Sequence, residues 1–105
     1  MTTLEEFREL AARGEALPDD SEVHAFMIET GERTRRLTIR LNGEYLDPRE
    51  RAELFGRITG EPAPSGFRIF PPFTCDFGRN IHLAENVFIN SGCRFQDQGG
   101  IWIGA

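Results

Sequence analysis

Apolar residues in the last third of the chain recur at a fixed interval of six residues. One track consists of Phe77, Leu83, Ile89, Phe95 and Ile101. A second track, two residues ahead of the first, consists of Cys75, Ile81, Val87 and Cys93. The local alternation of apolar and polar residues predicts short strands with one buried face, and the six-residue recurrence indicates that strand and corner repeat together. This pattern is typical of a parallel β-helix built from hexapeptides.

Turn-prone residues separate the apolar pairs, as the corners of such a solenoid require. The period breaks once, because the two similar pairs Leu83-Ala84 and Ile103-Gly104 are 20 residues apart, where three hexapeptides would give 18. We therefore predict a two-residue insertion within QDQGG, residues 96–100. Residues inserted into a solenoid protrude as loops on one face, which is often the binding face. The segment is a candidate wall of a site.

Three helices are predicted ahead of the repeat. The first is indicated by an amphipathic stripe of Leu4, Phe7, Leu10 and Ala11 that ends at Arg13-Gly14. Asp20-Ser21 offers an N-cap for a second helix that runs toward Leu41. The sequence DPRE from Asp47 has the order of a capping box with a first-turn proline, and Gly60 is placed to end this third helix.

The predicted fold is mainly a β solenoid preceded by a small helical segment. We expect a helical N-terminal cap over residues 1–60, a linker and first strand over 61–70, and the start of the β-helix over 71–105. Solenoids need a terminal cap, so a chain with little more than one coil is expected to be the N-terminal part of a longer polypeptide.

Composition narrows the function classes. With 105 residues, 39% of them hydrophobic, and a net charge of −5, the chain fits one soluble domain with a modest core. The acidic balance argues against nucleic-acid binding, and the basic stretch 33–36 is interpreted as a solvated helix face. No apolar run approaches the roughly 20 residues of a membrane span, and the acidic N-terminus does not resemble a secretory signal. We expect a cytoplasmic protein without a membrane partner.

The two cysteines, Cys75 and Cys93, are 18 residues apart. This spacing predicts that they stack on successive coils about 4.8 Å apart, which is within the reach of a disulfide. A reducing cytosol and their inward positions favour two buried free thiols instead.

The segment FPPFTCDFGRNIHLAENVFINSGCRFQDQGGIWIG resembles the maltose and galactoside O-acetyltransferases, a branch of the left-handed parallel β-helix hexapeptide transferases. The preceding SEVHAFMIETGERTRRLTIRLNGEYLDPRERAELFGRITG is more loosely similar to the helical segment of that family. The order of PPF, CDFG, NVFIN and QDQGGI makes the resemblance specific to this branch.

The resemblance implies an enzyme that transfers an acetyl group from acetyl-CoA to a hydroxyl of a maltose-, glucose- or galactoside-like sugar. Members are homotrimers with active sites between neighbouring β-helices, and a histidine acts as general base on the acceptor hydroxyl. No metal is implied, because a thioester is already acylating. The family places its catalytic histidine in the coil after the last residues of this chain, so the 105 residues alone are expected to be inactive.

Several site residues carry over by resemblance, each beside a structural alternative. Asn90 matches an asparagine that orients the base and the acceptor hydroxyl, a supporting catalytic role, or it stacks at a corner. Asp76 matches a position near the acceptor sugar, or it caps the corner before Gly78. Asp97 and Gln98 match a loop position that contacts acceptor hydroxyls, or they hold the loop itself. Glu22 is a weaker candidate for an acceptor contact. Residues that bind acetyl-CoA are not identified.

Neither histidine matches the position of the base. His24 is interpreted as a helix-face residue and His82 as a solvated or corner-packing residue. A trimeric metal enzyme on the same β-helix would need a histidine cluster, which two residues do not supply. The alternative to an enzyme is a catalytically silent hexapeptide-repeat module that assembles with a full-length partner.

Overall fold

The computed structural model describes residues 2–105, and within them three helices precede six short strands. The helices are α1 (Leu4–Ala12), α2 (Glu22–Gly43) and α3 (Pro48–Thr59). The strands are β1 (Arg68–Ile69), β2 (Phe73–Cys75), β3 (Ile81–Leu83), β4 (Phe88–Ile89), β5 (Cys93–Phe95) and β6 (Ile101–Ile103). None of the helices within residues 2–105 combines the length and the apolar composition that crossing a bilayer requires.

The helix boundaries follow local capping chemistry, as predicted. The side chain of Ser21 accepts a hydrogen bond from the backbone N–H of His24 at the start of α2. Asp47 and Glu50 form a reciprocal capping box at the start of α3, with Pro48 in the first turn. Gly60 ends α3 with a φ of 84°, a left-handed conformation that favours glycine.

The strands form three parallel pairs, β1–β4, β2–β5 and β3–β6. In every pair the partner lies 20 residues later in the chain, for example Ile69 beside Ile89 and Ile81 beside Ile101. Strands β1 to β3 therefore make one three-sided turn, and β4 to β6 make a second turn stacked on the first. This is the helical segment and parallel repeat that the sequence predicts, although two turns are present where little more than one was expected. The closed left-handed β-helix stays a prediction.

The repeat length of the turn differs from the prediction. The connection 96–100 between β5 and β6 has the same length as the connection 76–80 between β2 and β3. Both turns thus carry the same enlarged corner, and 96–100 is not a single insertion in an 18-residue coil. The six-residue track gave the wrong repeat length because one of its members, Phe77, is not in a strand. Phe77 lies in the corner, and its ring stacks on that of Phe7 in α1 with 4.5 Å between the centroids.

The predicted stacking of the two cysteines is wrong for the same reason. With a 20-residue turn, Cys75 lies beside Phe95 and Cys93 lies beside Phe73. Both cysteines are free thiols; Cys75 is buried and Cys93 is half-buried.

Aromatic side chains fill the interior between α3 and the strands. The ring of Phe55 in α3 lies 4.7 Å from that of Phe67 and 5.4 Å from that of Phe73. Phe73 in turn meets Phe95 of the second turn edge-on, at 5.2 Å. Burying such a ring contributes roughly 1.5–3 kcal/mol, so these contacts hold α3 and both turns in one core.

Candidate functional site

An open groove with a volume of about 760 Å³ lies between α2 and the β2–β5 pair. One wall is formed by α2 between Met27 and Asn42, and the other by residues 72–76 and 92–94. Gln98, from the second enlarged corner, completes the lining. The groove is therefore bounded by the helical segment on one side and by both turns of the repeat on the other.

The closeness of α2 to the first corner determines the width of the groove. A Cβ on Gly31 would lie 2.8 Å from the backbone oxygen of Asp76, so the helix approaches the corner more closely than any other residue would allow. The hydroxyl of Thr34 donates a hydrogen bond of 2.7 Å to the carbonyl of Phe77. A small or polar stripe, rather than an apolar one, faces the repeat at this point.

The same stripe continues to the end of the helix. The side chain of Asn42 accepts from the backbone N–H of Phe73 at 2.9 Å and donates to its carbonyl at 2.8 Å. Sequence reasoning missed these docking residues, because it followed only apolar positions. The signal was present as threonines at intervals of four, Thr30, Thr34 and Thr38, all of which are buried.

Two of the predicted site residues lie together in the groove. Asp76 is exposed in its wall, immediately after β2. Gln98 also lines the groove, and its Oε1 is buried without a hydrogen-bond partner among residues 2–105. A buried acceptor without a partner is uncommon in folded proteins. The exposed acceptor that the groove offers to a ligand is therefore the Asp76 carboxylate, whereas Oε1 of Gln98 is enclosed.

Asp97 occupies a different place from the one expected of a loop residue. It is 0% exposed. Its Oδ1 accepts from the backbone N–H of Phe77 at 2.9 Å, and its Oδ2 accepts from that of Asn80 at 3.2 Å. The carboxylate of the second corner therefore holds the backbone of the first corner, 76–80, rather than its own loop. A contact of Asp97 with an acceptor stays a prediction.

Asn90 and Glu22 do not line the groove. Asn90 follows β4 at an exposed corner, where its side-chain oxygen accepts from the backbone N–H of Ser91 at 2.8 Å. Glu22 is the first residue of α2. Any contact of either residue with an acceptor stays a prediction.

Neither histidine lies in the groove lining. The ring of His24 is 4.0 Å from the exposed carboxylate of Asp19. The ring of His82 stacks on Trp102 with 5.0 Å between centroids, and its Nε2 lies 2.8 Å from the side-chain oxygen of Asn80. Both have partners outside the groove, so a general base in the groove is not supplied by either residue.

The charges around the groove are mixed. Arg35 forms an ion pair of 3.8 Å with Glu32 on the α2 side, and Arg94 lines the β5 side. Beneath the groove, burial raises the pKa of the Cys75 thiol, and the negative charges of Asp97 and Asp76 raise this pKa further. Within residues 2–105, no three histidine, cysteine, aspartate or glutamate side chains are grouped so that they could hold a metal ion.

Two known proteins are similar to this chain. No protein-family model matches the chain. Nodulation protein L of Rhizobium meliloti (strain 1021) is 34% identical over 86 residues, which are 81% of this chain and 44% of that protein. A crystal structure of a hexapeptide-repeat-containing acetyltransferase from Vibrio cholerae O1 biovar eltor, complexed with acetyl coenzyme A, matches with a TM-score of 0.64 and 28% identity.

That match covers 93% of this chain and 51% of the Vibrio chain. The three helices and the parallel strand pairs therefore have the fold of a hexapeptide-repeat acetyltransferase. The chain spans about half the length of each of these two proteins.

Proposed function

We propose that this chain forms the acceptor side of an acetyl-CoA-dependent O-acetyltransferase that acetylates a hydroxyl of a sugar. The observation that carries the proposal is the similarity in fold and sequence, over 93% of this chain, to an acetyltransferase whose structure contains acetyl-CoA. The groove adds support, because its exposed carboxylate, Asp76, matches the hydroxyl donors that a sugar presents. Maltose, glucose and galactosides are the proposed acceptors.

The groove residues bind and orient the acceptor in this proposal. The carboxylate of Asp76 accepts hydrogen bonds only, and charge-assisted bonds of this type are stronger than neutral ones. Gln98 has a half-buried side chain in the same lining, and we propose that it borders the bound acceptor. The two oxygens of one exposed carboxylate can accept from two neighbouring hydroxyl groups, which favours a ligand with adjacent hydroxyls over a ligand with one.

The chemical step needs a base that removes the proton of the acceptor hydroxyl as its oxygen attacks the thioester carbon. The new C–O bond replaces the C–S bond, and the proton ends on the thiol of coenzyme A. We propose that a histidine outside this chain's 105 residues serves as the base. Since no imidazole lines the groove, the chain itself binds and orients the acceptor only.

Asn90 fits this proposal through a homotrimer. Its side chain is exposed but does not line the groove of its own chain. In a trimer with sites between neighbouring copies, Asn90 of one copy would face the groove of the next and orient the base and the acceptor hydroxyl. It would then be a positioning residue, and its substitution would lower kcat more than it raises KM.

The proposal is tested by measuring release of coenzyme A from acetyl-CoA by the complete protein in the presence of maltose, glucose and galactosides. Asp76→Asn is expected to raise the KM for the sugar about tenfold, while the KM for acetyl-CoA stays unchanged. Asp20→Asn, an equally exposed carboxylate before α2, is the matched control and should have no effect.

Absence of acetyl transfer to every sugar would refute the enzyme. That result, combined with a stable hetero-oligomer containing a full-length hexapeptide-repeat protein, would favour a catalytically silent assembly module instead. Transfer that Asp76→Asn leaves unchanged would keep the activity but remove the groove from the acceptor site.

A further inference from the structure

A second cleft, with a volume of about 990 Å³, lies between α2 and α3 on the other flank of α2. It shares no lining residue with the groove. Five arginines line it, namely Arg33, Arg36, Arg49, Arg57 and Arg79. We call it the arginine cleft. It is a concentrated positive surface on a chain whose net charge is −5.

Most of these arginines have no ion-pair partner among residues 2–105. Of the two glutamates in the lining, Glu53 forms an ion pair with Arg49 at 3.4 Å. The other four arginines form no ion pair with any carboxylate among residues 2–105. Four unpaired guanidinium groups around one concavity repel each other unless an anion lies between them.

Arg79 is the half-buried member of the cluster, whereas the other four arginines are exposed. Its guanidinium lies against Gly60, where a Cβ would come within 2.5 Å of Nη1. Its backbone carbonyl accepts a hydrogen bond of 3.1 Å from Nε of Arg8. Burial lowers the pKa of Arg79, and the positive charges of Arg33 and Arg8 lower this pKa further. A bound anion would offset both effects.

The three neighbouring arginines of α2 are divided between the two flanks of the helix. Arg35 lines the groove and pairs with Glu32, whereas Arg33 and Arg36 line the arginine cleft without a carboxylate partner. All three arginines are exposed, as the predicted solvated face requires, and two of them also line the cleft. Every cation among the side chains is an arginine, and the sequence contains no lysine.

We propose that the arginine cleft binds a small molecule that carries more than one phosphate group. Guanidinium groups match phosphate oxygens in bidentate geometry. The five arginines of the lining outnumber its two carboxylates, Glu53 and Glu61, by three, which is more charge than a single monoanion would neutralise. The volume lies within the range of small-molecule sites, about 300–1,000 Å³. This site is distinct from the acceptor groove and does not depend on the function proposed for that groove.

The test is isothermal titration calorimetry of pyrophosphate into the full protein at low ionic strength. Arg33→Gln and Arg36→Gln are each expected to weaken binding about tenfold, as loss of one charge-assisted contact predicts. Arg79→Gln is expected to weaken binding most, because Arg79 is half-buried and solvent screens its charge less than that of the exposed arginines. Arg40→Gln is the matched control on the same helix, since Arg40 pairs with exposed Glu44 at 3.2 Å, and should change the affinity less than about twofold.

Absence of pyrophosphate binding would overturn the proposal, as would an equal loss of affinity in Arg40→Gln. If Arg79→Gln does not fold by circular dichroism, the exposed positions Arg33 and Arg36 still decide the result. Titration of coenzyme A into the same variants identifies the source of the phosphates. A parallel loss of affinity would indicate the phosphates of coenzyme A, and an unchanged affinity would indicate a separate ligand. Asp76→Asn should bind pyrophosphate normally, so this result is independent of the acetyl-transfer assay.

Discussion

Replacing Asp97 with alanine tests whether the second corner supports the first. The carboxylate is fully buried and accepts from two backbone N–H groups of the previous turn, those of Phe77 and Asn80. Both donors belong to buried residues, with exposures of 0% and 4%. No water can replace the lost acceptor easily at such depth, so the substitution leaves two buried donors unpaired.

The expected loss follows from these two hydrogen bonds. Each bond to a charged acceptor contributes about 1.5–3 kcal/mol net. The bond at 2.9 Å should lie near the upper end of that range, and the bond at 3.2 Å near the lower end. The free energy of unfolding should therefore fall by about 3–5 kcal/mol, a large part of the roughly 5–15 kcal/mol typical of a domain.

The assay is urea denaturation followed by far-UV circular dichroism, with Asp97→Asn and Asp76→Ala as comparisons. Asparagine keeps one acceptor oxygen, so Asp97→Asn should lose about 2 kcal/mol. Asp76 is exposed, and Asp76→Ala should change stability by less than about 0.5 kcal/mol. A loss below about 1 kcal/mol for Asp97→Ala would refute the structural role. If Asp97→Asn instead raised the KM for the sugar at unchanged stability, the residue would be an acceptor contact.

Three further outcomes are expected. Asn42→Ala removes both hydrogen bonds to the backbone of Phe73 and should lower the free energy of unfolding by about 2 kcal/mol in urea. Gly60→Ala should cost about 1–2 kcal/mol in the same assay, since φ is 84° and the new Cβ would meet Arg79. The folded pKa of Cys75 is raised, so above its ordinary value of 9.0 the unfolded chain loses a proton that the folded chain keeps. Stability should then fall by about 1.4 kcal/mol per pH unit above pH 9, and Cys75→Val should lack this part of the decline.

Features that depend on neighbouring residues could be predicted from the sequence. The N-caps Ser21 and Asp47 and the C-terminal Gly60 act within four residues of the helix ends, and all three are found at the predicted positions. The alternation that defines strands is equally local. Stacking of the turns is not local, and the repeat length was predicted incorrectly.

The physical reason for that error is the parity of a strand. Because side chains alternate, a shift of two residues keeps every apolar residue on the buried face. The six-residue track placed Ile81 after Cys75. Cys75 is the last residue of β2, however, and the last residue of β3 is Leu83, two residues after Ile81. Pairs such as Ile69 with Ile89 and Leu83 with Ile103 carry the correct interval of 20.

The candidate site was likewise predicted only in part from the sequence. Asp76 and Gln98 lie in one groove, as expected for residues of stacked corners. The neighbouring Asp97 points into the interior, because adjacent side chains at a corner face different sides. The position of α2, which forms the other wall, depends on the polar contacts of Thr34 and Asn42, and an apolar pattern does not report such contacts.

The backbone of Phe77 connects these observations. Its N–H donates to Asp97 of the second turn, and its carbonyl accepts from Thr34 of α2. The residue directly before it is Asp76, the exposed carboxylate of the groove. A substitution that removes either hydrogen bond of the Phe77 backbone should therefore shift the Asp76 carboxylate and also weaken the contact with α2, the other wall of the groove. An effect of Asp97 variants on acceptor affinity would then scale with their loss of stability, whereas an effect of Asp76 variants would not.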